Sequence, residues 1–193
     1  AIATIGPCLL FCMAFQFGCS TKNTTPAHGW KKLAGDLYTN GSGELGFKAS
    51  EHIGPNGTRE DYFITKFHYN ERAALATIID TATVEYLGGT FYRDKTHVYL
   101  FYALLGGGDF RTFEADRDSF EVLVGDCYAK DKHSIYEMRR GRLANVDYAT
   151  FKAAPGPGCF AKDKHGYYSW SEKLASEHLH DADVQAAIKK LDD

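Results

Sequence analysis

Short runs of aromatic and β-branched residues alternate with polar corners along most of the chain, which is typical of strands joined by tight turns. Three runs of strand length are HVYLFY at 97–102, SIYEM at 134–138 and GYYSW at 166–170. Each follows an Asp-Lys pair, and Asp at the first position of a type I turn accepts hydrogen bonds from the backbone two residues on. We therefore predict a turn between two strands at each pair, formed by Asp94 and Lys95, Asp131 and Lys132, and Asp163 and Lys164.

The three corners belong to one recurring motif, called here the DK motif. CYAKDKHSIY at 127–136 returns as CFAKDKHGYY at 159–168, and FYRDKTHVY at 91–99 has the same layout. The corresponding aspartates are 37 and 32 residues apart, so the period is near 32 with an insertion in the first copy, most simply at 103–109. Periods in this range are typical of stacked repeats. A fainter copy at 59–69 lacks the Asp-Lys pair.

A second motif, D-x-x-[ST]-[FV], precedes each DK motif and begins at Asp80, Asp116 and Asp147. Two motifs in a fixed relation predict three short strands per unit. The expected fold is therefore all-β, with repeated short-strand units of about 32 residues arranged as a meander, a solenoid or a small propeller. Stacked units share a core, so six residues should face inward at equivalent positions: Tyr92, Tyr128 and Phe160 in the DK motif, and Val84, Phe120 and Phe151 in the other.

The hydrophobic period changes at the C-terminus. DADVQAAIKKL places apolar residues at helical spacing, after Asp181 or Asp183 as the N-cap and before two lysines in the last turn. This predicts an amphipathic helix that covers one end of the repeat array, with an apolar face of Val184, Ala187, Ile188 and Leu191.

The N-terminal residues differ from the rest in composition. Residues 1–19 carry no charge, and their apolar run has the length of the hydrophobic part of an export signal. We predict a lipoprotein-like segment at 1–19 with lipid attachment at Cys19, a polar, turn-rich tether or irregular region at 20–58, a β-repeat domain at 59–171 and the helical region at 172–193. The alternative for residues 1–19 is a buried apolar element of the folded protein.

The repeats resemble the DKNYY family of bacterial exported proteins. The resemblance rests on the DK motifs around Asp94, Asp131 and Asp163 and on the D-x-x-[ST]-F strands, and it covers about residues 80 to 170. Thr96, His133 and His165 follow the DK pair where the family has Asn. The resemblance implies an exported β-repeat protein and no catalytic activity or cofactor.

Composition and motifs exclude several kinds of chemistry. A net charge of −3 and an isoelectric point near 6.3 give no electrostatic reason to bind nucleic acid. GSGELG at 41–46 matches G-x-G-x-x-G without the following helix, so we predict a loop. The histidines at 178 and 180 lack a third ligand set by spacing, and G-x-S-x-G is absent. We therefore predict no catalytic, cofactor or metal residues.

Two sets of residues are candidates for covalent modification. Cys127 and Cys159 occupy the same position in consecutive units, so stacking would place them near each other either as a disulfide or as two buried thiols. Asn23, Asn40 and Asn56 each begin an N-x-[ST] sequence, which is a glycosylation acceptor or simply turn composition.

The function expected from the sequence is an exported protein, anchored to a membrane through its lipid, that acts as a non-enzymatic binding or structural module. Its expected location is the cell envelope or the outside of the cell, with a periplasmic or outer-membrane lipoprotein favoured. Its partner would be a protein, a glycan or another copy of itself. Two alternatives stay open: a self-assembling subunit that retains its apolar N-terminal segment, and an enzyme whose site is not readable from the sequence.

Overall fold

Four small antiparallel sheets follow one another along the chain in the computed structural model, which describes residues 24–26, 29–53, 58–65, 74–104 and 107–192. The predicted all-β fold of repeated units is therefore confirmed. Sheet 1 contains β1 (Thr24–Pro26), β2 (Lys31–Ala34), β3 (Leu37–Thr39), β4 (Leu45–Ile53) and β5 (Thr58–Ile64). Sheet 2 contains β6 (Glu85–Gly88), β7 (Phe91–Arg93), β8 (Val98–Leu104) and β9 (Gly107–Phe113).

Sheets 3 and 4 have the same plan as sheet 2. Sheet 3 contains β10 (Glu121–Val122), β11 (Tyr128–Lys130), β12 (Ile135–Glu137) and β13 (Gly141–Leu143). Sheet 4 contains β14 (Lys152–Ala153), β15 (Phe160–Asp163), β16 (Gly166–Ser169) and β17 (Glu172–Lys173). In these three sheets the strands pair in chain order, so each repeat is a four-stranded meander. The expectation of three strands per unit was one too few, because the stretch that follows β12 contains the three-residue strand β13.

The region from 31 to 53 is folded, and its prediction as a tether or irregular region is wrong. Strands β2, β3 and β4 lie there, in a sheet with the order β1-β5-β4-β3-β2. Leu37, Leu45, Phe47 and Ala49 are all buried. Apolar residues alternate along these strands and form the buried face of sheet 1. The prediction failed because frequent Gly, Ser and Thr interrupt this alternation in the sequence. The faint repeat at 59–69 includes strand β5, and residues 66–69 lie outside those described.

Neighbouring sheets pack face to face and share a hydrophobic core at each interface. Phe47 of sheet 1 packs against Tyr92 and Phe101 of sheet 2. Phe91 of sheet 2 packs with Phe120 before sheet 3, and the next interface joins sheets 3 and 4 in the same way. Because successive residues of a strand face opposite sides, each sheet contributes to two cores.

This alternation corrects one of the predicted equivalences. Tyr128 and Phe160 face the element that follows their own sheet, and the residue that does so in sheet 2 is Phe91. Tyr92 is buried, but it faces the preceding sheet. The error is one position, and a shift of one residue in a strand reverses the face.

The apolar residues of the second motif lie as predicted. Phe120 is buried between sheets 2 and 3. Val84 is half-buried between sheets 1 and 2, and Phe151 is half-buried between sheets 3 and 4. Each lies at the interface between its own sheet and the sheet before it. The repeated sequence spacing therefore corresponds to a repeated packing position.

The C-terminal helix covers sheet 4 as predicted, but it begins at Ala182, and residues 172–173 of the predicted helical region pair with β16 as strand β17. Helix α1 (Ala182–Asp192) buries Val184, Ala187 and Leu191 against Phe160 and Ala154, with Ile188 partly buried beside them. A short 3₁₀ turn at Ser176–His180 leads into it, and two others lie at Leu75–Thr77 and Arg117–Ser119. Within the described ranges, no helix has the length and apolarity needed to cross a membrane.

Candidate functional site

The aspartate of each DK motif is buried and accepts several hydrogen bonds. In sheet 3, one carboxylate oxygen of Asp131 accepts from the backbone amides of His133 and Ser134, at 2.7 and 2.8 Å. The other oxygen accepts from the Tyr136 hydroxyl at 2.8 Å and from the backbone amide of Asp116 at 2.7 Å. Asp131 therefore connects its own turn to a strand and to the segment that enters sheet 3.

The same arrangement recurs in sheets 2 and 4. Asp94 accepts from the Tyr99 hydroxyl and, at 2.7 Å, from the backbone amide of Asp80. Asp163 accepts from the Tyr168 hydroxyl at 3.0 Å and from the backbone amide of Asp147 at 2.6 Å. In each unit the tyrosine lies five residues after the aspartate, and the amide donor is the first residue of the D-x-x-[ST]-[FV] motif. The two motifs are therefore parts of one hydrogen-bonded structure.

The upstream aspartates, Asp80, Asp116 and Asp147, form a second layer of contacts. Asp116 accepts from the Ser119 amide at 3.1 Å and pairs with the Lys132 ammonium at 2.6 Å. The Ser119 hydroxyl in turn accepts from the Lys132 amide at 3.0 Å. Equivalent ion pairs join Asp80 to Lys95 at 2.8 Å and Asp147 to Lys164 at 2.7 Å. The lysine of the DK pair thus has the same partner in all three copies.

The electrostatics of this network favour ionised carboxylates and neutral tyrosines. Burial alone would raise the pKa of Asp131, but hydrogen bonds from the Asp116 and His133 amides and from Tyr136 outweigh it and lower that pKa. The pKa values of Asp94 and Asp163 are lowered in the same way. Burial, reinforced by the neighbouring carboxylate, raises the pKa of Tyr136 and of Tyr168 to about 12. The carboxylates act as fixed acceptors at neutral pH.

Two grooves open between consecutive sheets on the side of the DK turns. Groove 2–3, between sheets 2 and 3, has a volume of about 920 Å³, and groove 3–4, between sheets 3 and 4, of about 530 Å³. The polar lining of groove 2–3 includes Thr96, His97, Thr112, Glu114, His133 and Arg142. The polar lining of groove 3–4 includes Arg140, Arg142, Asn145, His165, Ser171 and Lys173.

The cysteine pair lies at the interface of sheets 3 and 4. Cys127 and Cys159 form a disulfide whose Cα atoms are 5.4 Å apart. The bond connects positions 32 residues apart, one before β11 and the other before β15. It therefore fastens two consecutive repeats covalently.

The other predicted sites have simpler surroundings. Asn40 begins the turn between β3 and β4, where its Oδ1 accepts from the amides of Ser42 and Glu44 and its Nδ2 donates to the Glu44 carboxylate. GSGELG forms this same turn and the start of β4. Cys19, Asn23 and Asn56 lie outside the described residues. Across the described part of the chain, no three His, Cys, Asp or Glu side chains lie together as metal ligands.

The sequence did not reveal two features of these sites. The hydroxyls of Tyr99, Tyr136 and Tyr168 bind the DK aspartates, and the recurring Asp-to-Tyr spacing of five could have indicated it. The basic side chains of groove 3–4 could not have been found, because Arg142 and Lys173 come from different repeats. Only the packing of sheet 3 on sheet 4 brings them to one groove.

Comparison with known proteins gives one match. No curated protein and no solved structure matches the chain significantly. The model of the DKNYY family matches residues 59–172, which is more than half of the chain and includes sheets 2 and 3 and all of sheet 4 except Lys173. The matched region contains all three DK motifs and all three upstream aspartates. The chain therefore belongs to the DKNYY family.

Proposed function

We propose that this protein is an exported binding module, tethered to a membrane through a lipid on Cys19, that recognises its ligand in the grooves between its sheets. The main support for the proposal is that two groups of polar residues have different surroundings, one in the hydrogen-bonded network and the other in the lining of the grooves. The polar residues that recur in every copy bind one another in the network around the DK aspartates. The grooves share a histidine and a tyrosine at equivalent positions, but other lining residues differ, as Thr112, Arg142 and Lys173 do.

The comparison of the two grooves makes this division concrete. Thr112, Arg142 and Lys173 occupy equivalent positions in sheets 2, 3 and 4. Each is the partner, on the neighbouring strand, of the tyrosine that binds the DK aspartate of its own sheet. Fold maintenance therefore does not require one residue type at this position. Groove volumes of about 530 and 920 Å³ are in the range of small-molecule sites. A shared scaffold with different linings is what a binding module needs.

The charge state of the network argues against a catalytic use of its carboxylates. A general acid at neutral pH requires a raised pKa, and a general base must be free to accept a proton. The pKa values of Asp94, Asp131 and Asp163 are lowered instead, and their oxygens already accept from amides and hydroxyls. These groups stabilise the corners of the sheets.

The disulfide supports the exported location. Disulfides such as Cys127–Cys159 persist in oxidising compartments and are rare in the reducing cytosol. Membrane attachment through Cys19 rests on the composition of residues 1–19 alone.

Two measurements test this function. The intact mass of the protein purified from the cells that make it should show a terminus at Cys19 with added acyl mass, whereas an unmodified Ala1 terminus would favour the self-assembling alternative. An array of neutral and acidic glycans and of peptides, probed with the 193-residue chain, should give binding that substitutions in the grooves abolish. Binding that survives substitutions in both grooves would contradict the proposed surface.

A further inference from the structure

The lining of groove 3–4 carries basic side chains from both of its walls. Arg142 comes from β13 of sheet 3 and Lys173 from β17 of sheet 4, and His165 lies at the turn between β15 and β16. All three side chains are exposed. No Asp or Glu lines this groove, although the whole chain has a net charge of −3. The groove is therefore a local basic site on an acidic protein.

Groove 2–3 provides an internal comparison, because it is built from the equivalent strands. Its lining shares Arg142 with groove 3–4 but also includes the carboxylates of Glu114, Asp116 and Asp131. Thr112 occupies in groove 2–3 the position that Arg142 occupies in groove 3–4, as their strand pairing shows. The basic character of groove 3–4 thus arises from specific residues and is not a property of the repeat.

Two carboxylates on sheet 4 are already engaged. Glu172 pairs with the Arg140 guanidinium, and Asp163 accepts from the Tyr168 hydroxyl and from backbone amides. Arg142 and Lys173 have no ion-pair partner among the residues that the structure describes. Their charges are therefore available to a ligand.

The absence of a side chain at Gly166 leaves room for the side chain of Lys173. Gly166 has a φ of 139°, and a Cβ at this position would lie 3.0 Å from Cε of Lys173. The aliphatic part of the lysine consequently lies across the glycine, at the turn that also carries His165. Sheets 2 and 3 have His97 and Ser134 at the corresponding position. Only in sheet 4 does a glycine leave space for this side chain.

The remaining lining indicates the size and polarity of the ligand. A volume of about 530 Å³ exceeds what a bare phosphate ion fills, and Asn145 and Ser171 add neutral hydrogen-bonding groups beside the cations. Guanidinium and ammonium groups bind carboxylate and phosphate oxygens through charge-assisted hydrogen bonds. We propose that groove 3–4 binds a hydroxyl-bearing organic anion, a sugar that carries a carboxylate or a phosphate, through Arg142 and Lys173. This proposal rests on the proposed function, since it names the ligand class of one binding groove.

Nuclear magnetic resonance titration of the ¹⁵N-labelled 193-residue chain tests this at constant ionic strength. The probes are D-glucuronate and glucose 1-phosphate, with inorganic phosphate to separate the anion from the sugar and D-glucose as the neutral control. We expect saturable shifts at Arg142, Asn145 and Lys173 with both sugar anions, and at least tenfold weaker binding of glucose and of inorganic phosphate.

Substitutions of cationic residues complete the test. The double substitution R142Q/K173Q should weaken sugar-anion binding at least tenfold, whereas K189Q, a loss of charge on the exposed face of α1, should change it less than twofold. Shifts that do not saturate, or an equal loss in K189Q, would overturn the proposal. If the acidic sugars fail while a neutral glycan binds in groove 2–3, the ligand class is wrong and the proposed function stands. If neither groove binds any glycan or peptide, both are wrong.

Discussion

Replacing Asp131 by alanine removes the acceptor of four hydrogen bonds at the corner of sheet 3. The donors are the amides of Asp116, His133 and Ser134 and the hydroxyl of Tyr136, at 2.7 to 2.8 Å. A buried donor left without a partner costs about 1 to 3 kcal/mol. Water in groove 2–3 can reach some of these groups, so we count two of the four as lost, which gives about 2 to 6 kcal/mol.

Urea unfolding at pH 7, followed by circular dichroism, measures this cost. We expect the free energy of unfolding to fall by about 4 kcal/mol, against about 1 kcal/mol if Asp131 made only a local turn bond. D118A is the control, because Asp118 is 81% exposed and its ion pair is with its neighbour Arg117, and it should stay within about 0.5 kcal/mol of the parent protein. A loss of about 1 kcal/mol or less in D131A would refute the network as a source of stability.

Three further predictions concern the cores, the disulfide and the pH range. F120A should lower the unfolding free energy in urea by about 3 to 5 kcal/mol, and more than F151A, since Phe120 is buried and Phe151 half-buried; equal losses would contradict the packing described. C127A/C159A should cost about 3 to 4 kcal/mol for a cross-link over 32 residues, and reduction of the parent protein should have the same effect; no effect of reduction would show that the bond is not formed. Melting temperatures should be highest between about pH 4 and 10. Because the carboxylate pKa values are lowered in the folded protein, their contribution to stability is complete above about pH 4 and is lost as the pH falls. Because the tyrosine pKa values are raised, their contribution is complete below about pH 10 and is lost as the pH rises toward 12. A maximum outside this range would contradict the assigned charge states.

The fold class could be predicted from the sequence because each turn and strand of the repeat depends on residues that are close together in the chain. A turn needs Asp at its first position, and strands need alternating apolar residues, so the corner at Asp131 and its flanking strands follow from neighbouring residues. The fixed distance from Asp116 to Phe120 in the second motif was readable for the same reason. Each of these features depends on residues a few positions apart.

The network and the grooves were not predictable in this way. The amide of Asp116 reaches the carboxylate of Asp131 across 15 residues, and this distance closes only when the segment between sheets 2 and 3 folds back. Similarly, β2 to β4 were missed because their short apolar alternation is interrupted by Gly, Ser and Thr, and burial against sheet 2 decides their structure. The one-position error at Tyr92 arose because aromatic residues stand next to each other at Phe91 and Tyr92.

The DK aspartates are buried, ionised acceptors that hold each repeat together. Carbon-13 nuclear magnetic resonance of the aspartate side chains, followed from pH 6 downward, tests it directly at Asp94, Asp131 and Asp163. We expect the pKa of each of the three to lie below the ordinary value of 3.8, so that their chemical shifts at pH 3.8 are still mainly those of carboxylates in the folded protein. Titration of all three at 3.8 or above in the folded protein would contradict it.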